Sequence, residues 1–515
     1  MGVIHQKSGY LTIPVALFSF ALIFTEACSS KQEANEALTP PVAKKIPMEL
    51  TLHGHTRIDD YYWLKERDDP EVVAYLEAEN EYVTHVMAHT KDLQSKLIEE
   101  FRQREEQENQ PIPYRRGDYF YYERFEPGSD YPVYCRKKGS MEADEEIILD
   151  ADRLAEGHDS FMLGPLRISP KQDILAYGCV TTANSHFITV YLKNLKTGEL
   201  LPDVISEANP NVAWANDNGT LFYVKNNRAY CHRLGTDLSE DRFLMDEVSF
   251  LKKSKSDKYI LIFSTLGPWR GYVDADDPTG QVYEIVDSEP GVPWSFQLVH
   301  RGEKFYFISS HQVPNARLMD IPVGSTSLKE GSELISFQED VDIEYFEVFK
   351  NHLVLQEKKG GIIRIHVLSL KDGEEHYIDF GEPVYSVSIK GNDYNFNSTI
   401  LRYEYSSMTT PISIYDYNME TRDKVLTSQE KVGQGFDSKN YRSERLWATA
   451  EDRTRIPISL VYREGLIRNG RNPLLLEGYG MYGSSKKSGF RLFELSLLDR
   501  GFIYAIAHVR GGGEL

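Results

Sequence analysis

The sequence predicts a mixed fold, a seven-bladed β-propeller set between a helical arm and the opening of an α/β domain. Three observations predict it. Short apolar runs recur behind turn residues at intervals of 38 to 55 residues through the middle of the chain. A helical period near 3.6 precedes them, and a buried-strand, glycine-loop, helix, buried-strand order follows them. At about 100 to 200 residues per domain, 515 residues allow two to four such units. Hydrophobic residues at 41%, with 32 Tyr and 24 Phe, supply a core that leans toward sheet, which excludes disorder for the bulk of the chain. Lys+Arg 58 against Asp+Glu 78 gives a net charge of −20 without long single-sign blocks, which argues against a nucleic-acid partner. The 4 cysteines include no CxxC pair, so neither a disulfide scaffold nor a cysteine zinc site is expected.

Residues 1–28 read as a signal peptide: Lys7, an apolar stretch from Leu11 to Phe24 too short to span a bilayer, then Ala27-Cys28-Ser29-Ser30. That ending resembles the bacterial lipoprotein type, with Cys28 as the lipidated residue; an ordinary secretory signal cut nearby is the alternative. Both readings predict export, to the periplasm or as an outer-membrane lipoprotein whose membrane contact is its lipid anchor. Residues 29–47, rich in Ala, Glu, Lys and Pro, read as a flexible tether.

Residues 48–112 form the helical arm. Asp69 is placed as an N-cap with Pro70 at the first helical position. Val72, Leu76, Val83 and Met87 follow at helical spacing, and after a break near Thr90 the stripe resumes with Leu93, Leu97 and Phe101. Two amphipathic helices are expected, and their stripe needs a surface to pack on.

Residues 113–435 carry the repeat. Its anchors are Gly117-Asp118, Gln172-Asp173, Asn218-Gly219, Ser256-Asp257, Gly302-Glu303, Asn351-His352 and Ser398-Thr399, each leading into an apolar run. Seven units of about 40 to 50 residues, all strand and turn, are the size of four-stranded propeller blades. An array of β-sandwiches with accidental spacing is the competing reading. Further strands are predicted at Ile188 to Leu192 and Ile363 to Leu368, followed by the turns Lys196-Thr197-Gly198 and Lys371-Asp372-Gly373. Cys135, Cys179 and Cys231 lie in strand-like runs and read as small buried thiols, with pairing in an oxidising compartment as the alternative.

From 436 to 515 the pattern changes to α/β. Leu446 to Thr449 and Ile456 to Tyr462 read as strands about a polar turn, Pro473 to Leu476 as a buried strand, Arg491 to Asp499 as an amphipathic segment closed by Gly501, and Phe502 to Ala507 as a second buried strand. Glycine-rich loops follow both buried strands: Gly478-Tyr479-Gly480 with Gly483, and Gly511-Gly512-Gly513.

Several stretches together carry a resemblance: His53-Gly54 through Trp63-Leu64, Ala78 to Tyr82, Glu156-Gly157-His158-Asp159, Gly198 to Asp203, and Leu497 to Gly501 running into His508-Val509-Arg510 and the glycines. In these the chain resembles serine peptidases of the prolyl oligopeptidase family, specifically the oligopeptidase B branch. The resemblance implies a seven-bladed propeller capping an α/β-hydrolase domain built from the N-terminal arm and the C-terminal region, of which residues 436–515 are the incomplete start. It implies hydrolysis of short peptides after Arg or Lys by a Ser-His-Asp triad, with no metal or cofactor. Post-proline cleavage and a non-catalytic, propeller-bearing surface lipoprotein are the alternatives.

The resemblance also assigns site residues. Tyr479 matches the family tyrosine that helps stabilise the oxyanion. Lys487 and Gly489 fall at the second substrate position, where other members carry aspartates, and Lys486 with Lys487 would repel a cationic side chain there. Glu477 stands where aromatic or small residues are usual and needs a partner if buried. No GxSxG elbow occurs in the sequence, and the resemblance implies that serine, aspartate and histidine all follow the terminal glycine motif, so the triad is expected beyond Leu515, the 515-residue chain is expected to be inactive alone, and His508 is expected to be structural.

Overall fold

The computed structural model describes residues 39–105, 112–182, 186–264, 271–285, 294–391, 396–433 and 435–513. The signal peptide, Cys28 and most of the tether lie outside the described residues. The chain divides into an arm that ends at Arg104 and a larger unit from Glu105 onward.

In the arm, the strands Met48–Leu52 and His55–Asp59 pair as an antiparallel hairpin. Its two loop residues, His53 and Gly54, both take left-handed φ values of 50° and 79°, the geometry that two-residue hairpin loops require. The first helix runs Pro70–Val86, with the Asp69 carboxylate accepting from the Glu71 amide at 2.8 Å. A turn of 3-10 helix, Met87–Thr90, leads into the second helix, Lys91–Arg104. Both helices stand where the period placed them, but their stripe is not covered within the arm. Val72 is buried, whereas Leu76, Val83, Met87 and Leu93 are exposed, so the arm by itself supplies no core for them.

The larger unit begins with seven blades. Four-stranded antiparallel meanders occupy 114–150, 248–284, 294–335, 342–377 and 385–429, and one seven-stranded sheet, 162–245, holds the second and third blades. The 15-residue strand Leu200–Trp214 joins those two: its first half pairs with Ile188–Asn194 and its second half with Thr220–Lys225. Every repeat anchor in the sequence falls on the turn between the first and second strands of a blade. Six of those turns carry a left-handed residue, Gly117, Gln172, Asn218, Asp257, Gly302 and Gly391, a backbone state that favours Gly, Asn and Asp and here also takes Gln172. The irregular spacings have local causes. The helix Ala151–Ala155 is inserted between the first two blades, and only Asp246 and Glu247 separate the third blade from the fourth.

The apolar core lies between neighbouring blades. Phe222 and Val224 of the third pack with Ile260 and Ile262 of the fourth, and Phe349, Val354 and Val367 of the sixth pack with Leu401 and Tyr403 of the seventh. Ring closure uses polar contacts: Arg402 of the seventh blade donates to the Pro113 carbonyl at 2.8 Å beside the first, and Glu105 bridges to Val432. Cys135, Cys179 and Cys231 are free thiols. Burial pushes the Cys135 thiol up to about 11, so it stays protonated and inert at neutral pH.

Because each blade is an antiparallel meander, its first-to-second turns lie on one face of the ring and its second-to-third turns on the other. The C-terminal segment packs on the latter face. Lys358 donates to the Gly513 carbonyl at 3.2 Å, Arg445 to the Gly360 carbonyl at 2.6 Å, and the Phe490 amide to Ser406 Oγ at 2.8 Å. Met408 and Val384 of the seventh blade share an apolar cluster with Val461, Leu495, Leu498 and Ile506.

That segment is a four-stranded mixed sheet in the order Tyr441–Thr449, Arg455–Arg463, Ile503–Ala507, Leu474–Gly478. The first two neighbouring pairs are antiparallel; the last is parallel, with Leu474 opposite Ile503 and Gly478 opposite Ala507. Two expectations need correction. Leu474–Gly478 is an edge strand, and Leu474 and Leu476 are exposed because one neighbour and one covered face cannot bury them. Of the amphipathic segment only Leu495–Leu498 is helical, a single turn that buries Leu495 and Leu498 before Gly501.

Candidate active site

In open sheets with parallel strands, ligand sites form beyond the carboxyl ends of the strands. Here two glycine loops meet at that position. The loop after Leu474–Gly478 carries Tyr479, then a tight hairpin in which Gly480 pairs with Ser485 and Met481 with Ser484. The loop after Ile503–Ala507 carries Val509 to Gly513. Backbone lies directly on backbone: a Cβ on Gly480 would run into the Arg510 carbonyl oxygen, and one on Gly511 into the Gly480 carbonyl oxygen. The Gly483 amide donates to the Gly511 carbonyl at 3.0 Å. Gly511, at φ 90°, needs glycine for its backbone as well as for space. Gly511→Ala is therefore expected to cost about 1–3 kcal/mol in urea unfolding and to displace the Tyr479 turn, whereas Gly465→Ala, strained but with open space at its Cβ, costs less.

Tyr479 sits between two glycines at the end of the edge strand, with its side chain partly exposed and making no hydrogen bond among the described residues. A phenol held there by its backbone and free at its tip can donate to an incoming oxygen. Glu477, two residues earlier, does have partners: Lys486 Nζ at 2.8 Å and the Tyr504 hydroxyl at 2.7 Å. Burial alone would push the Glu477 carboxyl up. The hydrogen bonds from Lys486 and Tyr504, with the Lys486 and Arg491 charges, outweigh burial and hold it below the usual carboxylate range. Tyr504 is pushed up by burial and by its bond to Glu477, so it remains a donor. The repulsion expected from Lys486 is therefore largely cancelled by Glu477. Lys487 is exposed and lies two residues beyond Ser485, the end of that hairpin.

Gly489 lies farther along, against the propeller. A Cβ there would meet Ser406 Oγ at 3.3 Å, and the residue borders a cavity of about 10 Å³ with Arg491 and Glu494, too small for a substrate side chain. Burial pushes the Glu494 carboxyl up, outweighing the opposing charge of Arg491, 3.9 Å away.

His508 is buried, and its Nε2 lies 2.7 Å from Ser459 Oγ. Arg445 and Ser488 each donate to that same oxygen, at 2.7 and 2.8 Å, so Ser459 gives its own proton to His508. The pair has the distance of a catalytic dyad but none of its access, since Ser459 is 0% exposed. It locks the sheet. Ser488 Oγ also lies 3.3 Å from His508 Nε2, and a further serine–histidine contact, Ser256 to His300 at 2.7 Å, belongs to the propeller, where His300 Nε2 donates to the Gly302 carbonyl. The Glu477–Lys486–Tyr504 cluster escaped sequence reading because no spacing announces residues joined across a hairpin and a neighbouring strand.

A seven-bladed ring seated on a mixed sheet, with paired glycine loops beyond two parallel strand ends, defines a propeller-capped α/β protein. A family profile described as "Prolyl oligopeptidase, N-terminal beta-propeller domain" matches residues 40–430. The chain is 35% identical to dipeptidyl aminopeptidase BI of Pseudoxanthomonas mexicana, covering 98% of this chain and 73% of that protein. It is 31% identical to protease 2 of Moraxella lacunata, covering 92% and 71%. The solved structure of oligopeptidase B from Leishmania major superposes with a TM-score of 0.78 at 28% identity, covering 93% of this chain and 72% of that one. The chain belongs to the prolyl oligopeptidase family of serine peptidases, and oligopeptidase B is among its homologues.

Proposed function

We propose that this chain is the propeller and oxyanion-side part of a serine oligopeptidase that cleaves short peptides after Arg or Lys. The observation that carries the reading is Tyr479, held between Gly478 and Gly480 beyond the parallel strand ends, where a tetrahedral intermediate would place its negative oxygen. In that role the Tyr479 hydroxyl donates to the oxyanion, while a serine attacks, a histidine carries the proton and an aspartate orients the histidine. The basic-residue preference is supported by the similarity to protease 2 and oligopeptidase B and is compatible with the net charge of −20. Lys487, exposed just beyond the hairpin that follows Tyr479, disfavours a second basic residue in the substrate.

The nucleophile in this reading is supplied from outside the 515 residues. Support comes from the lack of any GxSxG stretch and from the burial of Ser459 and Ser488, the two serines that contact His508. Treating the purified 515-residue chain with a fluorophosphonate probe is expected to give no labelling, while the same chain extended in frame through a GxSxG segment labels and releases an Arg-amide in preference to a Pro-amide. Robust labelling of the 515-residue chain, or a Pro-amide preference in the extended one, would refute the respective half of the proposal.

A further inference from the structure

Both loops that meet beyond the parallel strand ends are tied to one hydroxyl. Ser459, buried on the strand Arg455–Arg463, gives its proton to His508 Nε2 at 2.7 Å, and from His508 the 509–513 glycine loop departs. Ser488 donates to the same Ser459 oxygen at 2.8 Å and stands three residues beyond Ser485, the end of the hairpin that follows Tyr479. The third bond comes from Arg445, directly opposite Ser459 on the neighbouring strand, whose Nη1 donates at 2.7 Å. A hydroxyl has one proton and two acceptor positions, so Ser459 is saturated and all three partners set its orientation. Of the three, Arg445 is the one that also reaches the propeller. Its Nη2 donates at 2.6 Å to the carbonyl of Gly360, in the sixth-blade turn where Gly360 and Gly361 take left-handed φ values of 55° and 72°. Lys358, at the start of that turn, donates to the Gly513 carbonyl at 3.2 Å. The sixth blade therefore holds the glycine loop at both ends, directly at Gly513 and through Arg445 and Ser459 at His508.

We infer that Arg445 is a positioning residue for the oxyanion site: its fork couples the sixth-blade turn to Ser459 and so fixes the two loops whose contact aims Tyr479. The inference rests on the reading of Tyr479 as the oxyanion donor. A guanidinium suits the task because its terminal nitrogens point in fixed, separate directions, so one side chain serves Gly360 and Ser459 at once. Without the fork, the Ser459 hydroxyl can turn, and His508 and Ser488 lose their common reference. The contact between the loops tolerates little displacement, because Gly480 and Gly511 already lie backbone on backbone and the Gly483 amide donates to the Gly511 carbonyl at 3.0 Å. The effect falls on the transition state rather than on substrate binding, since the Tyr479 hydroxyl is needed only when charge develops on the substrate oxygen.

The first test uses the 515-residue chain and needs no activity. In Arg445→Met, hydrogen exchange read by mass spectrometry is expected to quicken about tenfold at residues 480–485 and 509–513 and to stay unchanged in the strands Tyr441–Thr449 and Arg455–Arg463. Arg445→Lys keeps the charge but reaches one acceptor in place of two; it shows the same pattern more weakly and decides the question if the methionine variant does not fold. Unchanged exchange in both loops overturns the inference, and so does equal acceleration of loops and strands, which is what a purely structural role gives. The second test uses the chain extended in frame to peptidase competence. There Arg445→Met lowers kcat about tenfold with KM nearly unchanged, and combining it with Tyr479→Phe costs less than the product of the two single effects, because both act on one hydroxyl. A fully multiplicative double variant overturns the coupling to Tyr479. If Tyr479→Phe alone lowers kcat less than about threefold, the oxyanion reading fails instead, and the exchange measurement still decides whether Arg445 positions the loops.

Discussion

Asp203→Ala and Asp241→Ala are each expected to destabilise the propeller by about 3–5 kcal/mol, among the largest single-residue effects in the chain. The two carboxylates clamp His232 from both sides: Asp203 lies 3.0 Å from Nε2 and Asp241 2.7 Å from Nδ1, with all three side chains nearly inaccessible. Each aspartate has a further donor, the Gly235 amide at 2.6 Å for Asp203 and the Tyr223 hydroxyl at 2.7 Å for Asp241. Both imidazole nitrogens must donate to satisfy this arrangement, so the ring is held as an imidazolium. Removing either aspartate leaves that cation with half its compensation; urea unfolding monitored by tryptophan fluorescence measures the loss. A change under 1 kcal/mol would show that the clamp is not a stabilising pair.

The same cluster predicts a pH dependence. Burial opposes the charged imidazole, but the bonds and charges of Asp203 and Asp241 outweigh it and raise the His232 pKa above its ordinary 6.5. A base whose folded pKa is raised stabilises fully below its unfolded value, and that stability is lost as pH rises through the folded value. His300, His352 and His376 are shifted down by burial and act in the opposite sense. The His232 contribution is therefore read as a difference: the stability gap between wild type and His232→Gln is widest below about pH 6.5 and narrows above it. A gap that is flat or widens from pH 6 to 9 contradicts the assignment.

Asp203 shows what was legible in the sequence and what was not. The Gly198-to-Asp203 stretch helped carry the family resemblance, yet its physical reason, a bond to a histidine 29 residues later, is invisible without coordinates. Turns were the most legible feature, because left-handed backbone selects Gly, Asn and Asp locally, as at Asn218 and Gly302. Strand positions followed from them. The two places where reading failed, the exposure of Leu474 with Leu476 and the single helical turn at Leu495–Leu498, depend on what a segment packs against rather than on its own composition. At the site, Gly478, Gly480 and the terminal glycines were visible as a pattern. The contact of Gly511 with Gly480, which aims Tyr479, was not, since it joins loops about 30 residues apart.

That contact sets the expectation for Tyr479→Phe in the peptidase-competent protein: kcat falls about 10²–10³-fold with KM nearly unchanged. The argument is geometric. Phenylalanine keeps the ring and the Gly478-to-Gly480 turn, and Tyr479 is 43% exposed with no hydrogen bond to lose among the described residues, so stability should move by less than about 0.5 kcal/mol. A hydroxyl with no ground-state partner matters only if it gains one when negative charge develops on the substrate oxygen, which is why the loss falls on kcat. Gly480→Ala provides the contrast: its Cβ would collide with the Arg510 carbonyl, shift the whole turn and alter kcat, KM and stability together. If Tyr479→Phe lowers kcat less than threefold, the tyrosine is a packing residue and the oxyanion must be held by backbone amides alone.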